Sequence, residues 1–225
     1  MTLSTFVTGF KTLYKTNTKY NGDILVNEDK NGVRRVLCGG PTQSISYDSN
    51  KVQDLFWGKA MEYIEKNAIV PRKVLMLGFC AGTFAHLLSK RFQTVSITGV
   101  EIDKEMIFIG EKFFDIKKIP DLKIEIANAY LFTKRMKDKY DLIMIDTYLG
   151  EIFEPTLSST EFIEYIRDGL EENGICIVNM LNTSSGKDVT DNYEKYMKRV
   201  FSQVDRVNVS GMTSSDNVLL IGKVV

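Results

Sequence analysis

Two acids in this chain stand where short apolar runs end. Glu101 follows the run from Val95 to Val100, and Asp146 follows Leu142-Ile143-Met144-Ile145. A third run, Val74-Leu75-Met76-Leu77, ends in the loop Gly78-Phe79-Cys80-Ala81-Gly82-Thr83. In that loop Gly78 permits a tight turn, and Gly82 lets the backbone pass close to a ligand or a neighbouring element. A helix starting after the loop presents free N–H groups. The loop carries no phosphate-holding lysine, which disfavours a nucleoside triphosphate, and Cys80 stands where GxGxxG needs its second glycine. Alone, it reads equally well as an ordinary strand-to-helix turn. Glu101 lies 23 residues beyond Gly78, the interval at which a carboxylate at a strand end accepts both hydroxyls of a ribose. The alternative for Glu101, a helix cap, is better filled by Asp103. Asn128, followed by Ala129, offers an amide that can pair with an adenine edge or cap the next helix. Asp146 emerges from an apolar strand, so desolvation raises its pKa and suits it to general-base work; its alternative is an acid that caps a turn. Tyr148, just beyond, is placed to line an acceptor pocket.

The elements that must hold these residues follow from periodicity. From about residue 50 onward, strand-length apolar runs alternate with helical spacing. Helices are expected at about 83–91, 104–114, 160–170 and 189–201, the third closed by Asn173-Gly174. Strands are expected at 74–77, 95–100, 122–127, 142–145, 175–180, 204–209 and 218–224. Continuous apolar strands with intervening helices imply an α/β fold: a Rossmann-like, mostly parallel seven-stranded sheet with helices on both faces. Val52, Leu55, Phe56, Met61 and Ile64 fall on one face of a preceding helix capped by Ser49 or Asn50. Residues 1–49 differ in texture. Asp23 to Val26, Val33 to Cys38 and Thr42 to Tyr47 read as strands, with Asn31-Gly32 as a hairpin turn in which both residues tolerate positive φ. The expected organisation is therefore an N-terminal antiparallel β segment, 1–49, and a nucleoside-cofactor-binding catalytic domain, 50–225.

Composition narrows the partners. Lys+Arg and Asp+Glu both total 29, so the formal net charge is zero, and neither nucleic acid nor an anionic membrane is expected. The lysines and arginine at 117, 118, 134, 135, 137 and 139 read as a solvated surface. With one histidine, three cysteines and no CxxC pair, no metal site is expected. The same cysteine usage fits a reducing compartment. No signal peptide is visible, and the stretch from Val74 to Leu88 is too short to span a bilayer. A cytoplasmic protein is the expectation.

The chain resembles the spermidine synthase (aminopropyltransferase) family, within the S-adenosylmethionine-dependent methyltransferase folds. The carrying pieces are Val74 to Gly78, Gly99-Val100-Glu101-Ile102-Asp103, Asn128-Ala129 and Tyr140 to Asp146. Pro41-Thr42-Gln43-Ser44 is similar to the family's glutamine-bearing strand, and Glu161-Phe162 to Asn179 to its "EFF…L…GG" stretch. The resemblance implies S-adenosylmethionine or its decarboxylated form as cofactor, without metal. It implies transfer of an aminopropyl or methyl group to a small amine or polyamine acceptor. It places Gln43, Gly78, Phe79, Ala81, Gly82, Glu101, Ile102, Asn128 and Ala129 at the cofactor, Asp146 as the proton acceptor and Tyr148 at the acceptor. Gln43 would lie near the sugar or sulfonium, and Asn128 would take the adenine-reading place that the family usually fills with Asp. The family's glycine-loop acid corresponds to Ala81, its Tyr-His pair to Phe56-Trp57, and its polar run after the catalytic acid to Thr147-Tyr148-Leu149-Gly150. Two rival readings follow: a small-molecule methyltransferase, favoured if Ala81 leaves room for a cofactor carboxylate, and a catalytically silent nucleoside-binding member. An N-terminal β segment of this type could also pair two copies into a homodimer.

Overall fold

A computed structural model describes residues 9–149, 152–182, 187–210 and 216–224. The N-terminal segment is an antiparallel meander of β1 (Phe10–Thr18), β2 (Gly22–Asp29), β3 (Arg34–Cys38) and β4 (Thr42–Ile45). Alternation puts Ile24, Val26, Val36 and Cys38 on one buried face. The turn between β2 and β3 differs from the Asn-Gly turn expected. Only Gly32 has positive φ, at 79°, and Asp29 Oδ1 accepts from the Asn31 and Val33 N–H groups. An aspartate that caps the turn this way leaves a single left-handed position to fill.

The expected helix from residue 50 is divided. A 3₁₀ turn (Asn50–Asp54) and α1 (Phe56–Lys66) flank Leu55, which is extended at φ −94° and ψ 167°. Then β5 (Lys73–Leu77), α2 (Thr83–Arg91), β6 (Ser96–Glu101), α3 (Lys104–Phe113), β7 (Leu122–Ile126), α4 (Ala129–Arg135) and β8 (Tyr140–Ile145) alternate as the periodicity implies. A short hairpin, β9 (Tyr148–Leu149) with β10 (Ile152–Phe153), follows β8. The chain closes with α5 (Thr160–Asp168), β11 (Leu170–Asn182), α6 (Lys187–Val200), β12 (Gln203–Val209) and β13 (Asp216–Lys223). Asn173-Gly174 does not close α5. Asn173, at φ 61°, lies within β11, where the register against β8 slips between Leu170 and Ile175.

The seven strands run in the order β12-β13-β11-β8-β5-β6-β7. Only β13 is reversed, pairing antiparallel with both β11 and β12. The fold is the expected one, a mostly parallel sheet with an antiparallel N-terminal sheet before it. Val74, Leu75, Leu77, Leu142, Ile143 and Ile145 have no exposed surface, and each such side chain contributes roughly 1.5–3 kcal/mol on burial. Among the described residues no helix is long and apolar enough to cross a membrane.

Register decides what meets at the strand ends. Leu77 pairs with Val100 on one side and Ile145 on the other, and Ile145 pairs with Val178. The next residues, Gly78, Glu101, Asp146 and Asn179, therefore lie at one level across the sheet. The N-terminal sheet covers this edge. Thr18 Oγ1 and Asn21 Nδ2 both donate to Asp103 Oδ2, the latter at 2.8 Å. Ile24, Val26, Val36 and Cys38 pack with Ala81, Met106, Ile109 and Phe114.

Candidate active site

A cleft with about 700 Å³ of empty space, including its open mouth, lies over the ends of β5, β6 and β8. Of the residues picked from the sequence, Gln43, Gly78, Glu101, Ile102, Asn128, Ala129, Asp146 and Tyr148 line it together. Phe79, Ala81 and Gly82 do not. Phe79 turns inward and lines a smaller chamber behind the loop. Ala81 has no exposed surface, and its N–H donates to Ser44 Oγ at 3.2 Å. Gly82, the N-cap of α2, packs against Ile116 and Phe79. Ala81 therefore opens no space in the cleft for a cofactor carboxylate.

Gly78 cannot be replaced easily. Its φ is 85°, and a Cβ there would lie 2.2 Å from the Asp146 carbonyl oxygen. That close approach brings the loop after β5 against the end of β8. The five loop N–H groups are already committed: Gly78 and Phe79 to Val100 O, Cys80 to Glu101 Oε2, Ala81 to Ser44 Oγ and Gly82 to Phe79 O.

Glu101 is 8% exposed. Its Oε2 accepts from Cys80 N at 2.8 Å and its Oε1 from Asp103 N at 3.0 Å. Burial raises its pKa, and these two N–H donors offset part of the rise. Asp103, not Glu101, caps α3 through Oδ1 to Glu105 N. Asp146 has its pKa pushed up to about 6 by burial, against the lowering effect of Asn179; the charge of Glu101 adds to the rise. Asn179 Nδ2 donates to Asp146 Oδ1 at 2.8 Å, and Oδ2 has no hydrogen bond among the described residues. Thr147 Oγ1, next along the chain, is buried and unpartnered among the described residues.

Two of the picked side chains are partly occupied. Asn128 Oδ1 accepts Leu131 N at 3.0 Å as the N-cap of α4. The Tyr148 hydroxyl donates to Asn179 O at 3.0 Å and accepts from Leu181 N at 2.8 Å. The Tyr148 ring faces the cleft, while its hydroxyl ties the β9 hairpin to β11.

Asn21, Cys80, Tyr130, Thr147, Glu154 and Asn179 also meet this site and were not among the residues picked. Asn179 left a trace in the sequence: an amide inside the apolar run 175–180, where a buried polar group needs a partner. Cys80, Tyr130 and Thr147 adjoin picked residues in the chain, and Asn21 and Glu154 come from separate segments. His86 is structural, buried with Nε2 2.7 Å from Phe114 O and stacked on Tyr47. Trp57 belongs to the core and also walls the chamber that shares Gln43, Cys80 and Asp146 with the cleft.

The Spermine/spermidine synthase domain family model matches residues 56–218. This chain belongs to the spermine/spermidine synthase family. A probable polyamine aminopropyl transferase of Bifidobacterium longum is 29% identical over 189 residues, covering 80% of this chain and 41% of that protein. The chain thus spans about two fifths of that relative's length. A spermidine synthase from Thermotoga maritima superposes with TM-score 0.78 at 18% identity, over 94% of this chain and 72% of that one. Human methyltransferase-like protein 13, in complex with SAH, superposes with TM-score 0.62 at 19% identity, over 79% of this chain and 83% of that one. These superpositions establish a shared Rossmann-like methyltransferase fold. At the glycine loop Ala81 is sealed from the cleft, and Trp57 sits at the wall of the inner chamber.

Proposed function

We propose that this chain transfers an aminopropyl group from decarboxylated S-adenosylmethionine to a small amine, with polyamines as the acceptor class that the relative's name suggests. One observation carries the reading. Among the described residues the cleft is lined by three carboxylates, Glu101, Asp146 and Glu154, and by no lysine, arginine or histidine. Such a lining suits a ligand that is positively charged throughout, because cations desolvated there find acids and anions find none. A tail carboxylate, as in intact S-adenosylmethionine, would meet no cation, and the loop N–H groups of residues 78–82 are already bonded. The decarboxylated tail removes that conflict.

The residues fit the group in detail. Glu101, clamped by two N–H donors, presents its remaining lone pairs to a ribose. Asn128 keeps its NH₂ for an adenine edge. When bound, the cofactor supplies a carbon activated by its attachment to a sulfonium. Asp146 would hold the acceptor's attacking nitrogen and take its proton as that nitrogen displaces the sulfonium. A carboxylate of pKa about 6 is ionised at neutral pH, so it stands ready as acceptor.

Calorimetric titration with the decarboxylated and the intact cofactor tests the reading. The decarboxylated form should bind at least about tenfold more tightly, since one unpaired buried charge costs more than the 1.4 kcal/mol a factor of ten represents. A preference for the intact form would move the assignment to methyl transfer, and binding of neither would remove the nucleoside site.

A further inference from the structure

Asp146 does not stand on Asn179 alone. Asn179 Oδ1 accepts from Asn217 Nδ2 at 2.9 Å, while Asn179 Nδ2 donates to Asp146 Oδ1 at 2.8 Å. Asn217 lies on β13, the one reversed strand, and is the diagonal cross-strand neighbour of Asn179, which pairs directly with Leu219. The donors therefore run in one direction, from Asn217 through Asn179 to Asp146.

That direction matters because an amide has two different ends. An ionised carboxylate accepts only, so it requires the NH₂ end of Asn179. A neutral carboxylic acid can instead donate to the carbonyl end. Asn179 is 2% exposed and cannot exchange its ends with water to suit both states. What fixes the NH₂ end toward Asp146 is a donor on the far side, and Asn217 supplies it.

The geometry points to Asn217 as a positioning residue: by donating to Asn179 Oδ1 it sets the amide in the orientation that receives the ionised Asp146 carboxylate. Its link to catalysis rests on the proton-acceptor role proposed above. The orientation itself is a property of the free protein. The titratable groups facing Asp146 are Glu101 from β6, Cys80 from the glycine loop and Tyr148 from β9, with Glu154 elsewhere in the same cleft. The substitutions that test Asn217 alter none of them.

The test is the titration midpoint of the Asp146 carboxyl carbon, followed by carbon NMR in the ligand-free protein and assigned with Asp146→Asn. Asn217→Leu removes the donor at similar volume and should raise the midpoint by about half to one pH unit, the size expected when a neutral hydrogen bond is loosened. Asn179→Leu removes the contact itself and should raise it further. If Asn217→Leu does not fold by near-UV circular dichroism, Asn217→Ala, which only truncates the side chain, carries the same comparison. A midpoint within about 0.2 units of wild type in a folded Asn217 variant would overturn the proposal. Should wild-type protein turn over no amine acceptor, the midpoint remains readable, so the two readings fail separately.

Discussion

The two ends of the cleft floor, at β6 and at β8, each carry a carboxylate, Glu101 buried and Asp146 partly buried, and they hold it differently. Glu101 receives two backbone N–H groups, one on each oxygen. Asp146 receives one side-chain amide on one oxygen. Backbone donors are fixed by the fold and cannot turn away, so Glu101 stays a rigid acceptor whatever occupies the cleft. A side-chain amide orients by its neighbours, and the second oxygen of Asp146 has no hydrogen bond among the described residues. Burial raises both pKa values. The difference in their partners matches the two roles proposed for them, Glu101 holding hydroxyls and Asp146 taking up a proton.

The largest effect should come from Asp146→Asn. It should lower turnover by about a thousandfold, in the range for loss of a positioned base, while nucleoside affinity changes less than about threefold. Steady-state rates and calorimetry together read this. Glu101→Gln should do the reverse, weakening nucleoside binding about 10–100-fold through loss of charge-assisted hydrogen bonds. Equal losses of binding in both variants would break the distinction between the two ends.

A third expectation concerns stability. Asp146 titrates at about 6 in the fold against about 3.9 in an unfolded chain. The folded protein thus binds that proton more tightly, so this contribution is full below about pH 4 and lost as pH rises through about 6. Asp146→Asn should therefore be more stable than wild type at pH 8 by about 1–3 kcal/mol, read by thermal or denaturant unfolding, with the gap closing toward pH 4. A gap independent of pH would show that Asp146 is not desolvated. The smallest effect belongs to the covering hairpin. Asn21→Ala removes one of the two donors to Asp103 Oδ2 and should weaken nucleoside binding only about two- to fivefold, as one partly exposed hydrogen bond would. A loss as large as that from Glu101→Gln would place the N-terminal sheet inside the binding machinery rather than over it.

Much of this was readable along the chain because it is local. The apolar runs of β5, β6, β8 and β11, the capping role of Asp103 and the glycine loop all follow from neighbours in sequence. The direction in which side chains point was not readable in this way. Ala81 and Gly82 sit in the right loop, yet the loop's inward fold against Ser44, Ile116 and Phe79 takes them out of the cleft. Tyr148 lies in the right place, but its hydroxyl is taken by β11. Spacing locates a residue on a loop; it does not tell which way the loop turns its side chains.

By itself the sequence determined the α/β class, the strands whose ends build the site, and the two acids Glu101 and Asp146, because desolvating an apolar strand and ending it in a carboxylate is a local pattern. Only the tertiary structure decided the company those acids keep. Asn179 joins Asp146 from 33 residues away, Asn217 joins Asn179 from 38, and Asn21 joins Asp103 from 82. Those contacts depend on strand order and register, and the reversal of β13 that places Asn217 beside Asn179 is a consequence of packing the whole sheet at once.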